Sequence, residues 1–211
     1  MITVNTFFDK AIFTNCDHRT DRLAQFTEET AKFGIVAERF KRLVYHNPDN
    51  YPVWPDNFNT GVVGTILTMR NAIQDAKEQN LKNFLFFEDD AEFHPDFVNL
   101  FDKYIQQLPE DWCLIYLGGW HLADPISVTE NISRVVTTYH VHAVGFHSRV
   151  YDTLLEIFNP PTICENGDVM LSHIQPTHPC YVFNPRLVFT RPCISDVWGH
   201  HVDFNSMLGR V

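Results

Sequence analysis

Asn83-Phe84-Leu85-Phe86-Phe87-Glu88-Asp89-Asp90 decides how this chain reads. Four consecutive apolar side chains, cut off abruptly by acids, lack the alternation of a half-exposed strand. They suit a strand dry on both faces, as at the centre of a parallel sheet. The three carboxylates that follow repel one another, and they are costly beside a dry strand unless a cation or hydrogen-bond donors offset them. They also stand at the strand's carboxyl end, where open α/β sheets bind ligands. Glu88 and Asp90 occupy alternate positions, so in an extended segment both point to one side. Oxygen donors in that placement suit a hard divalent ion such as Mg²⁺ or Mn²⁺. An exposed acidic turn that caps the next helix is the alternative reading of the same residues.

Working outward, strand-like and helix-like segments alternate on both sides of this run. Ala11-Ile12-Phe13 forms a short buried strand, and Thr20 opens a helix that Gly34 ends. Phe40 to Tyr45 reads as a second strand. Residues 46 to 59 form a long loop with Pro48, Pro52, Pro55, Tyr51, Trp54 and Phe58, of the length that is often functional. Gly61 to Gln79 is a helix with Ile66, Met69, Ile73 and Ala76 on its apolar side. A helix from about Pro95 to Leu108 follows the acids. Cys113 to Leu117 is a second central strand, closed by Gly118-Gly119. Strands over Val135 to Tyr139 and Val141 to Phe146, and a helix over Tyr151 to Phe158, come next. Past Pro160-Pro161 the pattern thins to a helical turn or two over Asp168 to Ile174 and short strands at Cys180 to Phe183 and Leu187 to Phe189. The alternation predicts an α/β fold with a mostly parallel sheet and a mixed edge. It spans 1–211 as one domain.

Composition narrows the function. The 211 residues carry 16 Lys+Arg against 26 Asp+Glu, a formal charge of −10, which argues against broad binding to nucleic acid. A small anionic ligand is still compatible, held by an arginine or a metal. The five cysteines, at 16, 113, 164, 180 and 193, form no Cys-x-x-Cys pair and read as reduced thiols. No stretch is apolar enough to span a membrane, and the N-terminus lacks the pattern of a signal peptide. The expectation is a soluble, cytoplasmic or intracellular protein. Gly-x-Gly-x-x-Gly, the P-loop, Gly-x-Ser-x-Gly and His-Glu-x-x-His are all absent, which removes support for dehydrogenase, P-loop ATPase, serine-hydrolase and zinc-protease chemistry.

Other groups are candidates for chemistry. Arg19 and Arg22, at a helix start, could grip phosphate or a base edge, or could simply be a solvated first turn. His200 and His201, with Asp196, could complete a metal site begun by the triplet. His140 and His142 share a face of a strand and read as core or edge histidines. Glu165, Asp168 and Tyr181 lie in the irregular half, where a carboxylate could act as general base. Of the four tryptophans, Trp112 reads as core and Trp120 as the ring best placed for a cleft.

Four ordered segments resemble glycosyltransferase family 25, the group of the lipooligosaccharide and collagen galactosyltransferases. Arg19-Thr20-Asp21-Arg22-Leu23 is similar to the family's R-x-D-R entry. Gly61 to Ala76, running into Asn83 to Ala91, is similar to its helix followed by LILEDDA. Trp112 to Gly119 is similar to WDLLYLGG. His142 through Gly145, Leu154-Leu155 and Asp168, then Pro185 to Asp196, follows its later pattern. The match departs at Gly61-Val62-Val63-Gly64-Thr65-Ile66, where the family has G-C-x-x-S-H. The resemblance implies a GT-A-like three-layer α/β/α sandwich with a mostly parallel central sheet and a small mixed edge. Residues 1–120 would be the nucleotide-sugar-binding half and 121–211 the acceptor-side half. It implies an inverting hexosyltransferase moving galactose or glucose from a UDP-sugar to a glycan or a hydroxylated protein, with Mn²⁺ or Mg²⁺. By position, Glu88 and Asp90 would bind the metal, with His200 as third ligand. Arg19, Arg22, Asp89, Gly118 and Gly119 would contact the donor, and Asp168 would be the base. A nucleotide-sugar-binding protein without transfer activity, and a metal-dependent phosphohydrolase, are the rival readings.

Overall fold

The computed structural model describes residues 1–43, 60–159 and 165–208. The proline-rich stretch 46–59 with Tyr51, Trp54 and Phe58, the end of the strand expected to Tyr45, Pro160-Pro161 and Cys164 lie outside the described residues.

In chain order the elements are α1 (Val4–Phe7), β1 (Lys10–Asn15), α2 (Thr20–Lys32), β2 (Glu38–Lys41), α3 (Thr60–Glu78), β3 (Asn83–Glu88), β4 (Ala91–Phe93) and α4 (Phe97–Ile105). Then come β5 (Leu114–Tyr116), β6 (Trp120–Ala123), β7 (Ile126–Ser127), β8 (Ile132–Arg134), β9 (Thr137–Tyr139) and β10 (Ala143–His147). A 3-10 turn at Ser148–Val150 leads into α5 (Tyr151–Ile157), followed by α6 (Gly167–Ser172), β11 (Cys180–Phe183), β12 (Val188–Thr190), β13 (Cys193–Ile194) and β14 (His201–Val202).

Among the described residues, eight strands form the central sheet in the order β2-β1-β3-β10-β5-β11-β8-β7. β1 pairs parallel with β2 and β3, and β5 pairs parallel with β11. β10 runs antiparallel to both of its neighbours, β3 and β5, so those two share a direction. β8 is antiparallel to β11 and β7. Only β10 and β8 therefore run against the other six, and the sheet is mostly parallel with a mixed far edge.

Side-chain alternation along the strands builds two cores. Phe84 and Phe86 join Ile66, Met69 and Ile73 of α3, Leu154 of α5 and Leu171 of α6 on one face. Leu85 and Phe87 join Phe8, Phe26 of α2 and Phe97 and Phe101 of α4 on the other. All four residues of the Phe84–Phe87 run are essentially inaccessible. Each contributes roughly 1.5–3 kcal/mol by leaving water. The result is the expected three-layer α/β/α sandwich, with α3, α5 and α6 below the sheet and α1, α2 and α4 above. Gly34 stands just past α2 at φ +64, the left-handed conformation in which helices often end.

Two departures matter for the site. The chain turns at Asp89-Asp90 rather than staying extended, and resumes as β4, which pairs with β12. The tail forms a small hairpin, β13–β14, closed by Ser195 N–H to the His200 carbonyl at 3.0 Å. Both strand pairs are only two or three residues long, below the length at which periodicity marks a strand. No described helix is long and apolar enough to cross a membrane. Among the described cysteines, Cys16, Cys113 and Cys180 are buried, Cys193 is half-buried, and all four are free.

Candidate functional site

The carboxyl ends of the parallel strands open into a cavity of about 570 Å³. Parallel register sets Thr14 of β1 beside Glu88 of β3, so both arrive at the same edge. Because β10 runs the other way, its lead-in residues His140 and Val141 reach this edge too. Thr14, Glu88 and Asp90 line one side, with Arg42 and Thr65 beside them. Asn166, Gly167 and Asp168 come from the start of α6, and Trp120, Tyr139 and His140 from the β6–β9 ribbon. The tail adds Ser195 to Trp198, His200, Val202 and Phe204.

The three acids divide their work. Asp89 is 5% exposed and fully engaged: Oδ1 accepts from Arg22 Nη1 at 2.9 Å and Oδ2 from Asn15 Nδ2 at 2.7 Å. It is a buried structural anion and not a free ligand. Glu88, by contrast, has neither an ion pair nor a side-chain hydrogen bond among the described residues. Burial pushes its carboxyl up to about 8, helped by Asp90, Asp89 and Asp168 and opposed by Arg42. Asp90 is raised as well, chiefly by burial, against the pull of Arg22. Its Oδ2 lies 3.5 Å from Arg22 Nη1 and 3.7 Å from the Cys193 thiol, while Oδ1 is buried with no hydrogen-bond partner among the described residues. Burial and Asp90 push the Cys193 thiol up to about 11, so it stays protonated.

Glu88 and Asp90 thus present carboxylate oxygens that the described protein does not satisfy, in a cavity, at one strand end. The turn at Asp89-Asp90 brings them together, not strand alternation. Such a pair suits a hard divalent cation that takes its remaining ligands from water and phosphate oxygens. His200 does not make the pair a triad. It lies exposed on the hairpin, its Nδ1 bonded to the Trp198 carbonyl at 3.0 Å. Among the described residues no three His, Cys, Asp or Glu side chains converge on one point.

The two arginines expected at the donor are occupied elsewhere. Arg19 is bidentate with Asp21 at 3.0 and 2.9 Å and bonds Asp196 at 2.8 Å and the Ile194 carbonyl at 3.2 Å. Arg22 is 5% exposed and, besides Asp89, donates to the Ile194 carbonyl at 2.7 Å. Together they tie the tail hairpin to the acidic turn. Arg22 still lines the cavity; Arg19 does not. Gly118 and Gly119 also lie outside the lining. A Cβ on Gly118 would stand 1.9 Å from the Val188 carbonyl oxygen, and one on Gly119 would stand 2.6 Å from Thr138. Close packing therefore accounts for both glycines.

On the other wall, Asp168 Oδ2 accepts from the His140 backbone N–H at 3.2 Å, and Oδ1 from the Val169 N–H at 2.9 Å. His140 holds a left-handed backbone at φ +66, rare for a non-glycine residue. Its ring stands edge-to-face with Phe204 at 4.6 Å and Trp120 at 5.9 Å. His142 is fully buried behind it with its Nε2–H on the Val188 carbonyl at 3.1 Å, and burial lowers it to about 3. Glu165 pairs with His173 at 3.0 Å, and the Tyr181 hydroxyl donates to Asp111 at 2.9 Å; neither lines the cavity. Trp198 lines the mouth and is 53% exposed, and Trp112 is core. Arg42, Thr65, Tyr139 and Phe204 were not singled out by sequence reading. For Arg42 a signal existed: a basic residue just past a strand on the ligand edge of the sheet.

No family model matches the chain, and no curated protein matches it. Solved structures are similar to it at low identity. A197 from STIV gives a TM-score of 0.48 at 11% identity, over 82% of this chain and 81% of that one. Mouse xyloside xylosyltransferase 1 in its apo form gives 0.46 at 7%, over 81% and 82%. A glycosyltransferase involved in glycosylation of the major capsid of PBCV-1 gives 0.40 at 10%, over 71% of this chain and 65% of its own length.

Proposed function

We propose that this protein is a metal-dependent glycosyltransferase that moves a hexose, galactose or glucose, from a UDP-sugar to a hydroxyl of a glycan or protein acceptor. The observation that carries the reading is the unsatisfied pair Glu88 and Asp90 at the strand ends, in a cavity whose opposite wall holds Asp168, His140 and an aromatic ring. The ordered resemblance to glycosyltransferase family 25 points the same way. Glu88 and Asp90 would hold the Mn²⁺ or Mg²⁺, which when bound supplies positive charge for the departing diphosphate. Arg42, beside the same carboxylates, adds a fixed cation for that charge. Asp89 keeps the acidic turn in place through Arg22 and Asn15. The indole of Trp120 offers a flat face to a sugar ring of the acceptor. A proton acceptor at the Asp168–His140 corner frees the acceptor oxygen to attack the anomeric carbon from the side away from the leaving group, with inversion.

A thermal melt against UDP-, GDP-, ADP- and CMP-sugars, with and without Mn²⁺, tests the reading. One donor should stabilise the protein only when Mn²⁺ is present, by about 2.7 kcal/mol at a hundredfold excess over Kd. Glu88→Gln with Asp90→Asn should abolish that response, and the stabilising donor should support transfer to a sugar acceptor. A melt unmoved by every nucleotide sugar would refute the proposal. Stabilisation without transfer or donor hydrolysis would leave a binding protein.

A further inference from the structure

We propose that the imidazole of His140, not the carboxylate of Asp168, accepts the proton of the attacking hydroxyl, and that Asp168 is the positioning residue that fixes it. This rests on the glycosyl-transfer reading of the same cavity and assigns its proton chemistry.

The hydrogen bonds separate the two groups. Each oxygen of Asp168 already receives a backbone N–H, from Val169 and from His140. Those two bonds tie the carboxylate to the backbone at the start of α6 and at the His140 turn. The His140 ring lines the cavity, and among the described residues no hydrogen bond reaches either of its nitrogens. The other two histidines near the site are committed. His142 is sealed behind the wall on the Val188 carbonyl, and His200 is exposed and bonded to the Trp198 carbonyl.

The placement is also enforced. A non-glycine residue at φ +66 is strained, and such strain persists only where neighbours over-determine it. Here Asp168 holds the backbone N–H, and three rings fix the imidazole plane. Phe204, Trp120 and His142 meet it at 86°, 78° and 88°. Burial lowers His140 below the ordinary histidine range, and Asp168 partly restores it. The ring is thus neutral near pH 7 and able to take a proton. The titratable groups around it are Asp168 from α6 and His142 and Tyr139 from its own segment; Trp120 and Phe204 carry no charge.

The step balances. The hydroxyl proton passes to a ring nitrogen of His140 as the acceptor oxygen bonds to the anomeric carbon. The anomeric C–O bond to the diphosphate breaks, and its electron pair leaves on the diphosphate. The imidazolium, beside the Asp168 carboxylate, then releases its proton to water.

The test uses the full chain and the nucleotide sugar that stabilises it with Mn²⁺. His140→Asn and His140→Gly both tolerate a left-handed backbone. Both should lower kcat by about 10²–10⁴-fold while the donor-induced melting shift stays unchanged. Free imidazole should restore turnover to His140→Gly and not to Asp168→Asn. Asp168→Asn should keep measurable turnover and move the acid limb of the kcat/KM profile to lower pH, because it removes the charge that raises His140. Histidine variants within about threefold of wild type, or no rescue by imidazole, would overturn the assignment alone. A wild-type chain with no transfer or donor hydrolysis would overturn the glycosyl-transfer reading and this role with it.

Discussion

Replacing Arg22 with methionine separates a structural arginine from a ligand-binding one. The guanidinium is 5% exposed, bonds Asp89 Oδ1 at 2.9 Å and reaches the Ile194 carbonyl at 2.7 Å. Methionine fills similar volume but leaves Asp89, also 5% exposed, with Asn15 as its only remaining side-chain partner among the described residues. Breaking a buried pair in this way costs about 3–5 kcal/mol, because one charge is left uncompensated. For a chain of this size that is a fall in Tm of roughly 6–20 °C. Urea unfolding followed by tryptophan fluorescence and circular dichroism gives the free energy. Adding Asp89→Asn to Arg22→Met removes the stranded charge while keeping an acceptor for Asn15. The double variant should recover half or more of the loss, since contacting residues are coupled. If Arg22→Met instead cost under about 1 kcal/mol and abolished donor binding, Arg22 would be a nucleotide contact and the structural assignment would fail.

Stability should peak near pH 6.5, fall from there to about pH 8, and level off above it. Glu88 is raised from 4.5 to about 8 in the folded protein, so its contribution is full below 4.5, declines as pH rises across 4.5 to 8, and is gone above 8. His142, His147 and His121 are lowered from 6.5 to about 3, 4 and 4 by burial, so their contribution is present above 6.5 and lost as pH falls towards 4. Melts in EDTA across this range check the shape; Glu88→Gln should flatten the alkaline side, and a monotonic wild-type curve would contradict it. Gly118→Ala should destabilise by at least about 1–3 kcal/mol in a melt, since its methyl meets the Val188 carbonyl at 1.9 Å. Trp120→Ala should raise acceptor KM about tenfold, the equivalent of ~1.4 kcal/mol, and leave donor hydrolysis unchanged; an unchanged acceptor KM would remove the ring from the acceptor side.

What sequence revealed, and what it hid, follows from the range of the interactions. The dry Phe84–Phe87 strand, α2 ending before Gly34, the period of α3 and the Cys180–Phe183 strand rest on local patterning, and each lies within a residue or two of its expected place. β4 and β6 are held by partners farther along the chain, and β13 and β14 by each other across a short hairpin, and their two to four residues carry no periodic signature. At the site, Glu88, Asp90 and Asp168 line one cavity; the first two were marked by their place at a strand end, and Asp168 was set apart from Glu165 by the family resemblance alone. Arg19 and Arg22 did not disclose from sequence that Asp21, Asp89, Asp196 and Ile194 satisfy them, because three of these four lie more than 60 residues away. His140 read as a strand residue; its left-handed backbone depends on Asp168, 28 residues on.

β10 lies between β3 and β5, reversing the direction of the sheet at its centre. Segments from before and after residue 120 are therefore stitched into a single ladder of backbone bonds. The cavity cannot gape by swinging one lobe from another without tearing that ladder. Traffic in and out has to pass at the rim, where two guanidinium groups moor the 193–202 hairpin through the Ile194 carbonyl and the Asp196 carboxylate. A ligand that competes for those guanidinium groups would slacken the mooring and widen the entrance at the same moment.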